Sequence, residues 1–360
     1  MTTTTPRSDP GGIVLEVDDL HVEFPTDDGL VRAVRGVSLE LRRGEVLGIV
    51  GESGSGKSVT SMAVMGLLPD TARVSGGIHY DGRNLVGASD KELSTIRGKR
   101  ISMVFQDPMT SLNPVYPIGY QIAEAILAHE NISKDAAMKR AVELLEIVHI
   151  PNPGQRAKAY PHELSGGMRQ RIVIAIAMAN RPDIIIADEP TTALDVTVQA
   201  QILEALADAQ AETGAAMMLI THDLGVIAGQ ADRVQVMYAG KVVEAGTADE
   251  VFYRPRMPYT LGLLGSLPRL DVRTERLTPI SGSPPSAVNM PPGCPFSPRC
   301  PMAAPECDVE EPPLAQGATA THFAACYFSA DVEGHTPDEI FRSTEATDAA
   351  LGSSAGEGSR

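Results

Sequence analysis

The chain has 360 residues, 43% of them hydrophobic, and a formal net charge of −16 at pH 7. That length allows about two domains, and the apolar share supports a packed core. The acidic balance, with no basic run to track phosphates, argues against a nucleic-acid partner, and no apolar run nears the roughly 18 residues needed to span a bilayer.

Residues 1–12 are rich in Thr, Pro and Gly and lack the apolar segment of a signal peptide. They read as disordered, and the chain is expected to stay in the cytosol. Strands are predicted at Ile13–Val17, His21–Phe24, Val37–Leu41 and Val46–Val50, broken by Asp-Asp-Gly and Arg-Arg-Gly turns. Directly after Val50 stands Gly51-Glu52-Ser53-Gly54-Ser55-Gly56-Lys57-Ser58, a phosphate-binding loop of the nucleoside triphosphatase type. The apolar run before it reads as a buried parallel strand, and Val59–Met65 after it reads as a helix. In that context glycines let backbone N–H groups close around a phosphate, and the helix N-terminus adds positive potential. Lys57 can reach the β- and γ-phosphates of a nucleotide, and the Ser58 hydroxyl can ligate Mg²⁺.

Gly76–Gly82 reads as a hairpin and Ile101–Gln106 as a short strand. From Pro117 to about Ile150 the apolar positions fall at helical spacing, until Pro151-Asn152-Pro153-Gly154 stops the pattern. Met168–Ala179 reads as a buried helix. Strands return at Ile184–Ala187, Met217–Ile220 and Arg233–Tyr238, separated by helices at Val196–Glu212 and Leu224–Ala231. Alternating strands and helices predict a mostly parallel sheet, with the all-helical middle, about 107–182, inserted as a subdomain. The first strands predict an antiparallel β subdomain.

Past Asp271 prolines crowd together with the first cysteines, and all four cysteines lie between 294 and 326, which predicts a small loop-rich module over 271–328 that does not continue the sheet. Residues 329–360 are polar and acidic and read as a disordered tail.

Asp183–Glu189 is the second motif: its apolar run delivers Asp188 to the C-terminal end of a strand, where open α/β sheets bind ligands. Asp188 is placed to hold Mg²⁺, and Glu189 to polarise the attacking water as general base.

The third motif, Leu164-Ser165-Gly166-Gly167-Met168-Arg169-Gln170-Arg171, resembles the signature of ABC ATPases. Phosphate loop, Gln106, signature, Asp188-Glu189, Ala193-Leu194-Asp195 and His222 follow one another in that family's order over residues 13 to about 250. The resemblance implies a P-loop ABC ATPase cassette over 13–270. It implies that Ser165, Gly166 and Gly167 meet the γ-phosphate of ATP on an opposite subunit, and that Asp195 couples the two sites. It further implies that Gln106 senses Mg²⁺, that His222 holds the γ-phosphate and attacking water, and that Phe24 stacks on adenine. The family's usual Gln after the two glycines is Met168 here, which leaves the phosphate-facing residues in place.

Phe105–Pro114, Tyr160–Arg171, Pro258-Tyr259-Thr260 and the segment Gly293–Cys326 look like the peptide-importer branch, and Leu-Ser-Gly-Gly-Met points to its D-type subunit. This resemblance covers roughly 13–328. It implies an F-type ATPase partner in a heterodimer, two integral membrane permease subunits and an extracytoplasmic peptide-binding protein, with the chain on the cytoplasmic face of the membrane. Importers of nickel, opines or oligosaccharides stay open, because the ATPase does not touch the solute. A soluble ABC ATPase is a more distant alternative.

Cys294, Cys300, Cys307 and Cys326 are separated by five, six and eighteen residues, without the C-x2-C pairs of zinc knuckles. The resemblance implies a [4Fe–4S] cluster on them; zinc, reduced packing cysteines and partial disulfides remain open.

Overall fold

The computed structural model describes residues 11–192, 194–266 and 279–341. Strands β1 (Ile13–Thr26) and β2 (Gly29–Arg42) form a long antiparallel hairpin. The two short strands expected in the first of these are one strand of 14 residues. Asp18-Asp19, polar enough to suggest an interruption, is a bulge: Asp19 takes φ 44°, and the pairing register shifts between Asp18 and His21. Gly76 lies opposite, where a Cβ would stand 2.3 Å from the Asp19 carbonyl oxygen.

With β4 (Arg73–Tyr80) and β5 (Arg83–Asn84) the hairpin makes a four-stranded antiparallel sheet in the order β2-β1-β4-β5. The second sheet contains β3 (Val46–Val50), β6 (Ile101–Val104), β7 (Ile184–Asp188), β8 (Ala216–Thr221), β9 (Arg233–Tyr238), β10 (Lys241–Thr247), β11 (Ala315–Gln316) and β12 (Phe323–Ala324). Its order is β11-β12-β10-β9-β3-β8-β7-β6, and the neighbours from β9 to β6 run parallel. β3, β7 and β8 are buried along their whole length, which is why they read as unbroken apolar runs.

Between β6 and β7 the chain is helical, with its longer helices at Ile118–Leu127, Lys134–Ile147 and Gly166–Met178. Ile118, Ile122 and Ile126 recur every four residues on one face and are fully buried. Ala137, Ala141, Leu144 and Leu145 do the same on the next helix, whose first turn is capped by Ser133 accepting from the Ala136 N–H. These faces join one large core that also holds Val173, Ala205, Phe296 and Phe341. A second core lies between the antiparallel sheet, the helix Lys57–Met65 and the other face of the parallel sheet.

The C-terminal module departs from its expected form in two respects. It does extend the sheet: β12 pairs with β10 through Glu244↔Ala324 and Ala245↔Phe323, and β11 pairs with β12. Two-residue strands are too short to show a periodic pattern. The acidic segment is also folded at its start: Ser329–Val332 is a helical turn, Val332, Ile340 and Phe341 are buried, and Glu333 pairs with Arg256. Its three buried apolar residues join the large core. Residues 1–10 and 342–360, the remainder of the expected disordered ends, lie outside the described residues. Among the described residues no helix is long and apolar enough to cross a membrane.

Candidate active site

Four neighbouring parallel strands end on one edge of the sheet, and each hands a site residue to it. β3 runs into the phosphate loop at Gly51. β8 ends at Thr221, one residue before His222. β7 ends at Asp188, followed by Glu189. β6 leads to Gln106 two residues beyond its end. The register aligns Val50 with Thr221 and Asp188 with Ile220, so the strand ends lie level.

In the loop, backbone angle and crowding together demand glycine at Gly51 and Gly56. Gly51 has φ 154°, and a Cβ there would meet the Met237 carbonyl oxygen at 2.2 Å. Gly56 has φ 101°, caps the following helix, and would meet the Ala33 carbonyl oxygen at 2.6 Å. The Lys57 ammonium donates to the carbonyl oxygens of Gly51 and Glu52 at 2.7 and 3.0 Å, which arches the loop over its own lysine. Burial holds Lys57 below the ordinary lysine value, while the carboxylates of Glu189, Asp188 and Glu52 oppose that shift. The Ser55 hydroxyl is buried and has no hydrogen-bond partner among the described residues. An arched backbone, a buried ammonium and an unpartnered hydroxyl fit a polyphosphate.

Beside the loop, Ser58 Oγ donates to Asp188 Oδ1 at 2.9 Å, and Ser61 Oγ donates to Oδ2 at 3.4 Å. Hydroxyl and carboxylate together are the hard oxygen donors that suit Mg²⁺. Burial raises the Asp188 carboxyl above its ordinary value, against the opposing bonds from Ser58 and Ser61. Glu189 has φ 47°, a left-handed conformation that is strained in a non-glycine residue. Its N–H donates to the Ile220 carbonyl at 2.8 Å. One carboxylate oxygen, Oε2, accepts from Gln106 Nε2 at 3.1 Å and from Thr192 Oγ1 at 2.8 Å, and lies 3.4 Å from His222 Nδ1. Gln106, Glu189 and His222, predicted from separate motifs, therefore meet at one atom.

The signature stands apart from this group. Ser165 caps Gly166–Met178 and accepts from the Met168 N–H at 3.4 Å. Gly167 packs so closely on the helix Val196–Thr213 that a Cβ would meet Val198 Cγ1 at 2.5 Å. Asp195 caps that second helix, accepting from the Val198 N–H at 3.0 Å. Ser165 and Asp195 thus share a helix pair, remote in bonding from Lys57. Phe24 is half-buried near the end of β1, packed against the smaller core.

Cys294, Cys300, Cys307 and Cys326 are free thiols that line one small apolar cavity with Phe296 and Phe328. Burial pushes the Cys300 thiol up to about 12 and the Cys326 thiol up to about 11. Among the described residues no three His, Cys, Asp or Glu side chains are arranged to hold a metal ion. The geometry therefore brings the four cysteines together, as their clustering suggested, but does not form the ligand set of the expected [4Fe–4S] cluster.

Residues 34–192 match the ABC transporter family, and residues 243–307 match the family described as Oligopeptide/dipeptide transporter, C-terminal region. The chain is 58% identical to the dipeptide transport ATP-binding protein DppD of Bacillus subtilis, over 82% of this chain and 89% of that one. The chain belongs to the ATP-binding subunits of the oligopeptide and dipeptide ABC transporters. Another member, the oligopeptide transport ATP-binding protein OppD of Salmonella typhimurium, is 49% identical over 90% of this chain and 96% of its own length. OppD of Mycobacterium tuberculosis is 56% identical over 94% of this chain, which spans only 56% of that longer relative. The ABC cassette fold is matched by a dimeric ATP-binding cassette bound to ADP and Pi, at 28% identity and a TM-score of 0.58, covering 65% of this chain and 98% of that one. The cbiO1 subunit from Clostridium perfringens, part of the ABC transporter complex cbiONQ, matches with a TM-score of 0.57 at 29% identity, over 67% of this chain and 90% of that one.

Sequence reading of this ABC subunit missed several residues at the site. Ser61, three positions after Ser58, and Thr192, three after Glu189, sit one helical or turn step from motif residues, and that spacing was a usable signal. Tyr259 stands in the Pro258-Tyr259-Thr260 segment that resembles the peptide-importer branch, but nothing local ties it to the loop: its hydroxyl accepts from the Glu52 N–H at 2.8 Å from 207 residues away.

Proposed function

We propose that this chain binds and hydrolyses ATP to power an importer of dipeptides or oligopeptides. The observation that carries the reading is the meeting of Gln106, Glu189 and His222 beside a phosphate loop whose Ser58 already bonds Asp188. Lys57 would neutralise the β- and γ-phosphates. Ser58 and Asp188 would hold Mg²⁺, which supplies charge neutralisation at the phosphates. Glu189 Oε2 would accept the proton of the attacking water, with Gln106 and His222 fixing where that water sits. Phe24 would stack on adenine.

The peptide substrate rests on the names of the relatives and on the match of the C-terminal region. The chain would dock on two permease subunits at the cytoplasmic face of the membrane, served by a peptide-binding protein outside. Since a similar cassette is a dimer with ADP and Pi, Ser165, Gly166 and Gly167 would complete the ATP site of a second ATPase subunit, a related F-type chain. The domain reading that goes with this is a cassette over 13–270 with a helical subdomain at about 107–182 and a C-terminal module over 271–328. Among the described residues the four thiols do not form a ligand set for an iron–sulfur cluster.

Glu189→Gln tests the assignment. It should keep MgATP binding, accumulate an ATP-bound closed dimer, and lower turnover by roughly 10²–10⁴, the scale of a lost general base. Hydrolysis near the wild-type rate in this variant would move the base elsewhere.

A further inference from the structure

The second residue of the phosphate loop is an acid. Glu52 brings a negative charge to a loop that must receive a polyphosphate, and its field acts on Lys57. The carboxylate does not stand free. Arg299 of the C-terminal module grips it with two prongs, Nη1 to Oε2 at 2.7 Å and Nη2 to Oε1 at 2.9 Å, across 247 residues of sequence. The Arg299 side chain is 4% exposed. It is fixed from every side: Nε donates to the Ser281 carbonyl at 3.1 Å, Nη1 to Tyr238 Oη at 3.2 Å, and the guanidinium lies 5.9 and 5.8 Å from the ring centres of Tyr238 and Phe296. Tyr238, Tyr259 and Phe296 form one buried aromatic cluster, with Tyr238–Tyr259 at 4.6 Å and Phe296 5.4 Å from each. From that cluster Tyr259 also holds the Glu52 N–H, while the Glu52 carbonyl accepts from Lys57.

We infer that Arg299 is a positioning residue of the ATP site, which cancels the Glu52 charge and holds the phosphate loop in its open arch, so that the C-terminal module forms part of the nucleotide-binding machinery. The inference rests on the reading that the loop binds ATP. An arginine suits the task because it stays charged when buried and matches a carboxylate with two parallel bonds. Without it, the Glu52 carboxylate would compete with the phosphates for Lys57.

The test is a double-mutant cycle on MgATP binding, followed by calorimetric titration of the full chain. Arg299→Gln should weaken binding by about tenfold at low salt, the scale of one unpaired charge roughly 12 Å from the phosphates at an effective dielectric of about 20. The deficit should shrink as salt is added. Adding Glu52→Gln to Arg299→Gln should recover most of the loss, because the offending charge is then gone. Arg299→Lys, which keeps the charge without the fork, should bind more tightly than Arg299→Gln. Wild-type affinity in Arg299→Gln, or a double variant as weak as Arg299→Gln, would overturn the inference; the second outcome is what mere unfolding of the module would give. The wild-type chain separates the two readings: failure there to bind MgATP would reject the ATP site itself, whereas normal wild-type binding with no rescue rejects only the role of Arg299.

Discussion

Asp188 is 7% exposed, and burial raises its carboxyl above the ordinary aspartate value despite bonds from Ser58 and Ser61. A carboxyl raised on folding binds more protons in the folded than in the unfolded chain. Its contribution to stability therefore falls as pH rises from the ordinary aspartate value of 3.8 through the raised folded value, and at neutral pH the ionised group is a net cost. A bound cation offsets that cost. Asp188→Asn should thus raise the melting temperature of the nucleotide-free chain at pH 7 and abolish the further rise that MgATP gives the wild type. The gain should vanish at acid pH, where both forms are neutral. A lower melting temperature for nucleotide-free Asp188→Asn at pH 7 would mean that Ser58, Ser61 and Lys57 outweigh the burial. Strain follows the same logic at Glu189: a left-handed backbone and three partners on one oxygen hold its carboxylate in place at the expense of local stability.

At the scale of elements, the site strands were legible because a strand covered on both faces must be apolar throughout. Val46–Val50, Ile184–Asp188 and Ala216–Thr221 carry that mark, and the motif residues follow at their ends. The C-terminal module was not legible in this way, since its order comes from contacts distant in sequence. Its docking centres on Glu244 of β10, which is 0% exposed. Glu244 accepts from the Arg256 and Met257 N–H groups at 2.7 and 3.1 Å, and lies 2.7 Å from His322 Nε2. No local pattern announces such a pin: a glutamate in the strand Lys241–Thr247 reads as a solvent-facing residue. His322→Ala would leave a buried carboxylate short of a partner, so the chain should lose about 1–3 kcal/mol or more of stability. Hydrogen exchange should quicken first at β11 and β12, where a docked edge gives way. Unchanged denaturant unfolding in His322→Ala would show that Arg256 and Met257 alone satisfy Glu244.

Across the whole molecule, the arrangement of motifs separates what one chain can hold from what it can finish. Lys57, Ser58, Asp188, Gln106, Glu189 and His222 are linked by hydrogen bonds or close contacts, whereas the helix capped by Ser165 packs through Gly167 on the helix led by Asp195. A phosphate in the loop would have Lys57 and the loop backbone on one side, and among the described residues no hydrogen bond joins Ser165, Gly166 or Gly167 to that loop. On the proposed reading the other side comes from another ATPase subunit, which makes hydrolysis a property of the pair. The rate per chain should therefore fall on dilution for the isolated protein, and mixing with the F-type subunit should raise it well above the sum of the two alone. Ser165→Arg in this chain should then cripple the partner's nucleotide while sparing MgATP binding at Lys57. Lys57→Ala should do the reverse. The concentration series decides the matter, since a rate per chain that stays constant in a strictly monomeric sample would mean that one chain closes its own site.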